Sequence, residues 1–298
     1  MTAPDPLRPN PLRGVAFFTL GVLLFACMDT TAKYLVSRYD VPLVVAARYV
    51  GNLLLMSALL APRYGKELIQ TQRTGLVVVR ALCLAASSLL VGFALQRMPV
   101  AETTAINFLA PMLVVLVAGP LLGERAGIVG WGAALAGFGG VLLIARPGSG
   151  LDPVGVACAL LGVSAAAGYQ LLSRVLVASE RTMALLFYTA LVGSIIFGLA
   201  APWFLNGRVP SAFEALLFCS LGAYGGLGHF LITAAYRDAP ASLLAPVNYL
   251  QLLWAGLLGW IVFRHVPDGL SLIGMAIIAA SGVAVAIHSR RPLVKRSV

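Results

Sequence analysis

Gly14-Val15-Ala16 with Leu20-Gly21-Val22, and Gly155-Val156-Ala157 with Leu161-Gly162-Val163, are the two stretches whose comparison decides the fold. They lie 141 residues apart, and the same offset carries Lys33 onto Arg174, Pro99 onto Pro240 and Asn107-Phe108-Leu109 onto Asn248-Tyr249-Leu250. Chance similarity of apolar composition does not hold one offset across separate segments, so the chain reads as a duplicated unit.

The medium in which that unit folds follows from composition. Sixty per cent of the 298 residues are hydrophobic and 11% are charged, with a mean hydropathy of +0.92; a soluble domain is roughly a quarter charged. Apolar runs of about 20 residues recur along the chain, each long enough as a helix to cross a bilayer core of about 30 Å. They predict an all-α integral membrane protein with ten transmembrane helices, at 14–35, 42–61, 75–95, 101–121, 127–145, 153–173, 183–202, 212–235, 242–262 and 269–288. The run from Gly14 to Leu35 follows Arg8 and Arg13 but is too long for a secretory signal and is read as the first span. Four cysteines, Cys27, Cys83, Cys158 and Cys219, are scattered through apolar runs and match neither a disulfide framework nor a metal site.

The net charge of +10 is located mainly in connections and tails. It forms no basic stretch interleaved with aromatics, which excludes a nucleic-acid partner. An even number of spans puts both termini on one side. Lys33, Arg38, Arg97, Arg146, Arg208 and Arg264 fall on the other side, against about twice as many Lys and Arg on the terminal side, so both termini are expected in the cytoplasm of a bacterial cell, with the spans in its inner membrane. Each half holds five helices, an odd number, so the second must enter the membrane from the opposite face. The organisation expected is a cytoplasmic tail at 1–13, a first repeat at 14–148, an inverted second repeat at 149–289 and a basic tail at 290–298. Inverted repeats belong to secondary transporters that expose a mid-membrane site alternately to each side.

Polar residues inside spans point to a substrate path. Asp29 and Lys33 are four apart on one helical face and can neutralise each other, and Arg48 lies at similar depth; together they would suit a zwitterionic or anionic substrate. Arg80 is read as snorkelling to the headgroups, and Glu102 as a residue of a first helical turn, where the helix dipole favours an acid. His229 offers a hydrogen-bond partner or a proton relay, so protons are a candidate coupling ion. Tyr169 and Gln170 on the sixth span, and Asn248, Gln251 and Trp254 on the ninth, add polar and aromatic surface. Asn107 and Asn248 are repeat partners expected at mirror depths. Pro111 and Pro246 interrupt the fourth and ninth helices, which are also repeat partners. Gly132, Ala136 and Gly140 with Gly274 and Gly282 suggest close helix packing. The partners expected are a small-molecule substrate and membrane lipid, with no cofactor and no metal. No G-x-S-x-G, H-E-x-x-H or phosphate-binding G-x-x-x-x-G-K-[ST] occurs to support an enzyme.

Pro99-Val100-Ala101-Glu102 leading to Asn107-Phe108-Leu109-Ala110-Pro111, then Leu122-Gly123-Glu124-Arg125, Gly137-Phe138-Gly139-Gly140-Val141 and Arg146-Pro147-Gly148, resemble the EamA type of the drug/metabolite transporter superfamily over both halves. The resemblance implies ten helices, cytoplasmic termini, a central cavity and secondary transport of metabolites such as amino acids, nucleoside-like compounds or riboflavin. The second half departs from the pattern at Phe263-Arg264-His265, where His265 stands in the place of Glu124.

Overall fold

A computed structural model describes residues 10–122, 128–146, 150–177, 179–205, 207–239 and 241–288. Every regular element among them is helical: α1 (Pro11–Val36), α2 (Val41–Tyr64), α3 (Thr74–Arg97), α4 (Val100–Asn107), α5 (Ala110–Leu122), α6 (Ile128–Ile144), α7 (Pro153–Leu176), α8 (Thr182–Ala200), α9 (Ala212–Asp238), α10 (Ala241–Asn248), α11 (Leu250–Phe263) and α12 (Gly269–His288). Residues 1–9, the C-terminal tail from 289, Pro240, and Glu124 with its neighbours lie outside the described residues, and α1 takes in residues 11–13 of the expected N-terminal tail.

The halves start their first helices alike. Asn10 accepts from the backbone of Leu12 and Arg13 with Pro11 at the first helical turn, and Asp152 accepts from Gly155 with Pro153 in the same place. A side-chain acceptor supplies partners for donors that a helix start leaves unpaired, while proline needs none. Ser211 and Glu214 form a reciprocal capping box at the head of α9.

The repeated glycines are packing seams. A β-carbon on Gly14 would lie 2.5 Å from Ala239 Cβ, and one on Gly155 would lie 2.7 Å from Met98 Cγ; residues 98 and 239 are themselves 141 apart. Likewise Gly21 faces Ile232 at 2.8 Å and Gly162 faces Val91 at 3.2 Å, and 91 and 232 obey the same offset. α1 therefore lies on α9 as α7 lies on α3, while α2 packs on α8 and α6 on α12. Exchanging the halves leaves these pairings unchanged. Directions follow from the same contacts. α3 is antiparallel to α2 because Gly92 meets Val41 and Val45 whereas Arg48 meets Ser88, and α2 runs with α9, since Tyr39 bonds Glu214 while Gly51 touches Gly222. α9 is antiparallel to α1, and α7 to α3. Hence α7 runs opposite to α1, its counterpart. The outer ends of α1 and α12 share one face, here the terminal face. The ends of α1 and α3, with the starts of α4 and α12, lie at the other.

Seven helical segments are long and apolar enough to cross a membrane, and three apolar helices, Val100–Val114, Trp131–Ile144 and Gly269–Ala284, are shorter. The ten full spans read from the sequence are thus seven plus three shorter ones among the described residues. A break at Phe108–Leu109 separates α4 from α5, matched by a break at Tyr249 between α10 and α11. The breaks obey the 141 offset although the prolines do not: Pro111 follows its break and Pro246 precedes its own. Each withholds an N–H from the carbonyl four residues back. The two breaks meet, with the rings of Phe108 and Tyr249 stacked at 4.9 Å between centroids and 29° between planes. The expected stripe of Gly132, Ala136 and Gly140 is out of register, for Gly132 and Ala136 are exposed. Gly140 is the residue of the three that makes the seam, with a β-carbon there falling 2.7 Å from the Gly274 carbonyl oxygen.

Candidate functional site

Polar side chains that a lipid-facing helix would exclude are turned toward one another between the halves. Arg80 is 4% exposed. It donates from Nε to Ser173 at 2.6 Å, from Nη1 to Thr189 at 2.8 Å and to the Leu185 carbonyl at 3.0 Å, and from Nη2 to Tyr169 at 2.8 Å; the guanidinium also lies over the Tyr169 ring at 4.3 Å. The snorkelling reading of Arg80 is therefore corrected. An arginine one and a half turns inside α3 is held by α7 and α8, which supply acceptors that the lipid interior lacks.

Arg48 is half-buried and spends its hydrogen bonds differently. It donates to Ser88, whose hydroxyl is 2.9 Å from Tyr49 OH, and lies over the Tyr49 ring at 5.2 Å. Among the described residues no carboxylate comes within ion-pair distance of Arg48 or Arg80. With five guanidinium donors each, Arg80 makes four bonds and Arg48 makes one among the described residues.

Asp29 accepts from Gln251 Nε2 at 3.4 Å, which joins α1 to α11, and it feels the charge of Arg48. It makes no ion pair with Lys33. Both guanidinium charges reach His229, whose ring meets Phe25 edge-on at 4.9 Å. Asp29, Arg48, His229 and Gln251 thus form one neighbourhood, and Tyr169 joins it through Arg80. Gln170, Asn107 and Asn248 are half-buried with no hydrogen-bond partner among the described residues. Trp254 stands apart, in an apolar cluster with Phe17, Phe18 and Val22, its indole N–H buried and unpartnered.

Lys33 belongs to a second place, a cavity of about 400 Å³ at the face away from the terminal face, lined also by Arg97, Glu102, His265, Asp268 and Ser271. Glu102, taken from sequence as a residue of a first turn, is 2% exposed and bonded to His265 at 2.8 Å. Around the cavity Arg97 pairs with Asp152 at 3.3 Å and Arg146 with Asp268. The backbone N–H of Gly155 holds the Asp152 carboxyl below its ordinary value. Sequence reasoning missed the Glu102–His265 pair. The available signal was the base at position 265, where the first half carries an acid.

Apolar helices with exposed leucines, such as Leu135, Leu199 and Leu253, around an inward-turned polar cluster define a multi-pass membrane protein. The chain belongs to the EamA-like transporter family, whose model matches residues 12–146 and again 153–287; it is a transporter and not an enzyme. It is 25% identical over 285 residues to an S-adenosylmethionine uptake transporter of Rickettsia bellii (strain RML369-C), covering 95% of this chain and 96% of that protein. It is 29% identical over 252 residues to a riboflavin transporter of Brucella anthropi, covering 82% and 88%, and 28% identical over 283 residues to one of Vibrio cholerae serotype O1, covering 92% and 93%. A solved crystal structure shares the fold at a TM-score of 0.66 and 20% identity, covering 93% of this chain and 99% of the other.

Proposed function

We propose that this protein is a secondary transporter that moves a small organic metabolite, amino-acid-, nucleoside- or riboflavin-like, across the bacterial inner membrane by alternating access. In this reading each broken helix is one crossing, giving ten spans in two inverted five-helix repeats, 14–148 and 149–289, with both termini cytoplasmic. The observation that carries the reading is Arg48: a half-buried cation that uses one of its five donors among the described residues, with its charge felt by Asp29, which Gln251 holds. Four open donors in a low-dielectric interior hold a carboxylate or paired carbonyls of a substrate, and Asp29 faces any cationic group on it. Relatives named for S-adenosylmethionine and for riboflavin support a metabolite of that size. Asn107 and Asn248, unpartnered at equivalent positions beside the two breaks, serve the path toward opposite faces, and Lys33 stands at its entrance.

The test is uptake of labelled S-adenosylmethionine and of labelled riboflavin by proteoliposomes. Arg48→Gln is expected to raise KM by roughly 30-fold, the loss of one charge-assisted contact worth about 2 kcal/mol. Asn107→Ala and Asn248→Ala are expected to slow transport in opposite directions across the membrane. Uptake of neither compound above empty vesicles, nor of any member of a labelled metabolite pool, would sink the transport reading. Orientation is tested by whether a cysteine at Val209 is labelled from outside intact cells.

A further inference from the structure

α11 and α12 are joined by the short turn 264–268 and run in opposite directions, yet they scarcely touch along their length, whereas their counterparts α5 and α6 pack together. One pair of equivalent residues shows the difference. Met112 of α5 is 3% exposed and seats against Gly137 of α6, while Leu253, 141 residues on, is 68% exposed. Between α11 and α12 this leaves an apolar groove of about 600 Å³, walled by Leu253, Gly256, Leu257 and Trp260 on one side and by Leu272 and Ala276 on the other. These positions recur every three or four residues, so one stripe of each helix faces the gap. Tyr249 closes the deep end, its hydroxyl lying over Gly282, and Val266 and Pro267 of the turn stand at the mouth.

The groove follows α11 within Pro246–Phe263, a segment long and apolar enough to cross a membrane. From Tyr249 to Trp260 it runs about 16 Å at the helical rise of about 1.5 Å per residue. One leaflet supplies about half of a hydrocarbon core about 30 Å thick, so a single acyl chain entering at the mouth reaches the Tyr249 floor. At that mouth the Arg264 N–H bonds the Trp260 carbonyl at 2.9 Å, which sets Arg264 one turn above the indole. The Arg264 side chain is exposed and makes no hydrogen bond or ion pair among the described residues. The acids lining the neighbouring cavity are already taken, Asp268 by Arg146 and Glu102 by His265. Arg264 also holds the left-handed conformation, at φ 56°, in which helices usually close on glycine, so the backbone bears a cost for carrying a side chain there.

We propose that this groove seats one acyl chain of an anionic phospholipid from the leaflet at the face away from the terminal face, with the lipid phosphate on Arg264. The guanidinium offers a planar donor set that matches phosphate oxygens and is free to be neutralised. Trp260 lies where chain gives way to headgroup, the depth at which an indole satisfies both its apolar body and its N–H. The first half has no such seat between α5 and α6, because Met112 occupies the space.

The experiment needs no substrate, so its failure is distinct from failure of the transport reading. Full-length protein in detergent, stripped of lipid, is titrated with phosphatidylglycerol or with phosphatidylethanolamine, and bound lipid is counted by native mass spectrometry. One phosphatidylglycerol is expected to bind about fivefold more tightly than phosphatidylethanolamine, the effect of one cation near an anionic headgroup. Arg264→Gln is expected to remove that preference, whereas Arg208→Gln, which takes a cation from the same face, keeps it. A β-carbon on Gly256 would meet nothing within 4 Å, so Gly256→Leu fills the groove without pushing on the fold. Its melting temperature is expected to be unchanged or higher, since leucine favours a helix over glycine, while binding of either lipid falls at least about tenfold through lost chain contact. No stoichiometric lipid on the parent, a headgroup preference that survives Arg264→Gln or is lost equally in Arg208→Gln, or a lipid retained by Gly256→Leu would overturn the proposal. A parent dimer that Gly256→Leu dissolves would overturn it too, by giving the groove to a second copy of this chain.

Discussion

The packing seams and the polar interior obey the same 141-residue offset with opposite results. At the seams the two halves use glycine at equivalent positions and in the same way, Gly14 with Gly155 and Gly21 with Gly162, each against equivalent neighbours. In the interior three equivalent pairs are polar in both halves but differ in side-chain chemistry, whereas Arg80 falls on Leu221 and Gln251 on Ala110. Asp29 corresponds to Gln170, Arg48 to Thr189 and Ser88 to His229. Even the hydrogen bonds cross between levels, for Arg80 donates to Thr189, the counterpart of Arg48. Shape has been held equal because two interlocking surfaces fail if either changes. Chemistry at the interior positions has diverged between the halves.

Arg80 gives the largest expected break in this comparison. Arg80→Met removes four hydrogen bonds joining α3 to α7 and α8, with an expected loss of about 3 kcal/mol, read as a fall in melting temperature of roughly 6–12 °C in detergent. Arg48→Met, which gives up one bond, should lose less than about 1 kcal/mol while abolishing function. Equal melting shifts in the two variants would erase the distinction between the holding arginine and the available one. Next in size, Gly21→Leu and Gly162→Leu should each destabilise by about 1–3 kcal/mol through overpacking, the first at least as much as the second, since its neighbour lies closer. One seam tolerating leucine freely would show that the interlock is needed in one half alone. The smallest effect belongs to Asp268. The Arg146 side chain, then the Ser271 backbone N–H, hold its carboxyl down to about 2 from the ordinary 3.8. Its contribution to stability is complete above the ordinary value and is lost as pH falls toward about 2. Asp268→Asn should therefore shift melting by the same small amount at pH 8 and at pH 5; a shift that changes within that interval would contradict the assignment.

Much of the fold was legible because it rests on repetition. The offset read from Gly14 and Gly155 also locates the paired breaks at Phe108 and Tyr249, and the proline positions alone would have set them in different places. The interior was legible only as a set of polar positions. Nothing near Arg80 in sequence reveals that Ser173 and Thr189 wait 93 and 109 residues away, so the local reading sent its side chain to the headgroups. Glu102 misled for a related reason: its first-turn position explains an acid locally, while its partner His265 lies 163 residues on. Asp29 and Lys33 share a helix face, yet one bonds Gln251 and the other lines a cavity with Glu102, because helical spacing says which residues can touch and not what the neighbouring helices offer them. The two breaks lie inside runs read as single helices, because apolar composition carries no trace of where a continuous hydrogen-bond ladder stops.

The stack of Phe108 on Tyr249 has an ancestral consequence. On a two-fold axis a position meets its own copy, so in a dimer of unfused halves this contact would be one residue facing itself. Any mutation there would have struck both sides of the interface at once, and only side chains compatible with their own rotated copy could have persisted. Joining the halves in one gene lifted that restriction. Tyr249 has since carried its hydroxyl onto Gly282, where a β-carbon would sit 1.3 Å from the oxygen, while Phe108 has none to place. The fused chain is free to treat its two ends as different addresses, which a self-paired ancestor could never do.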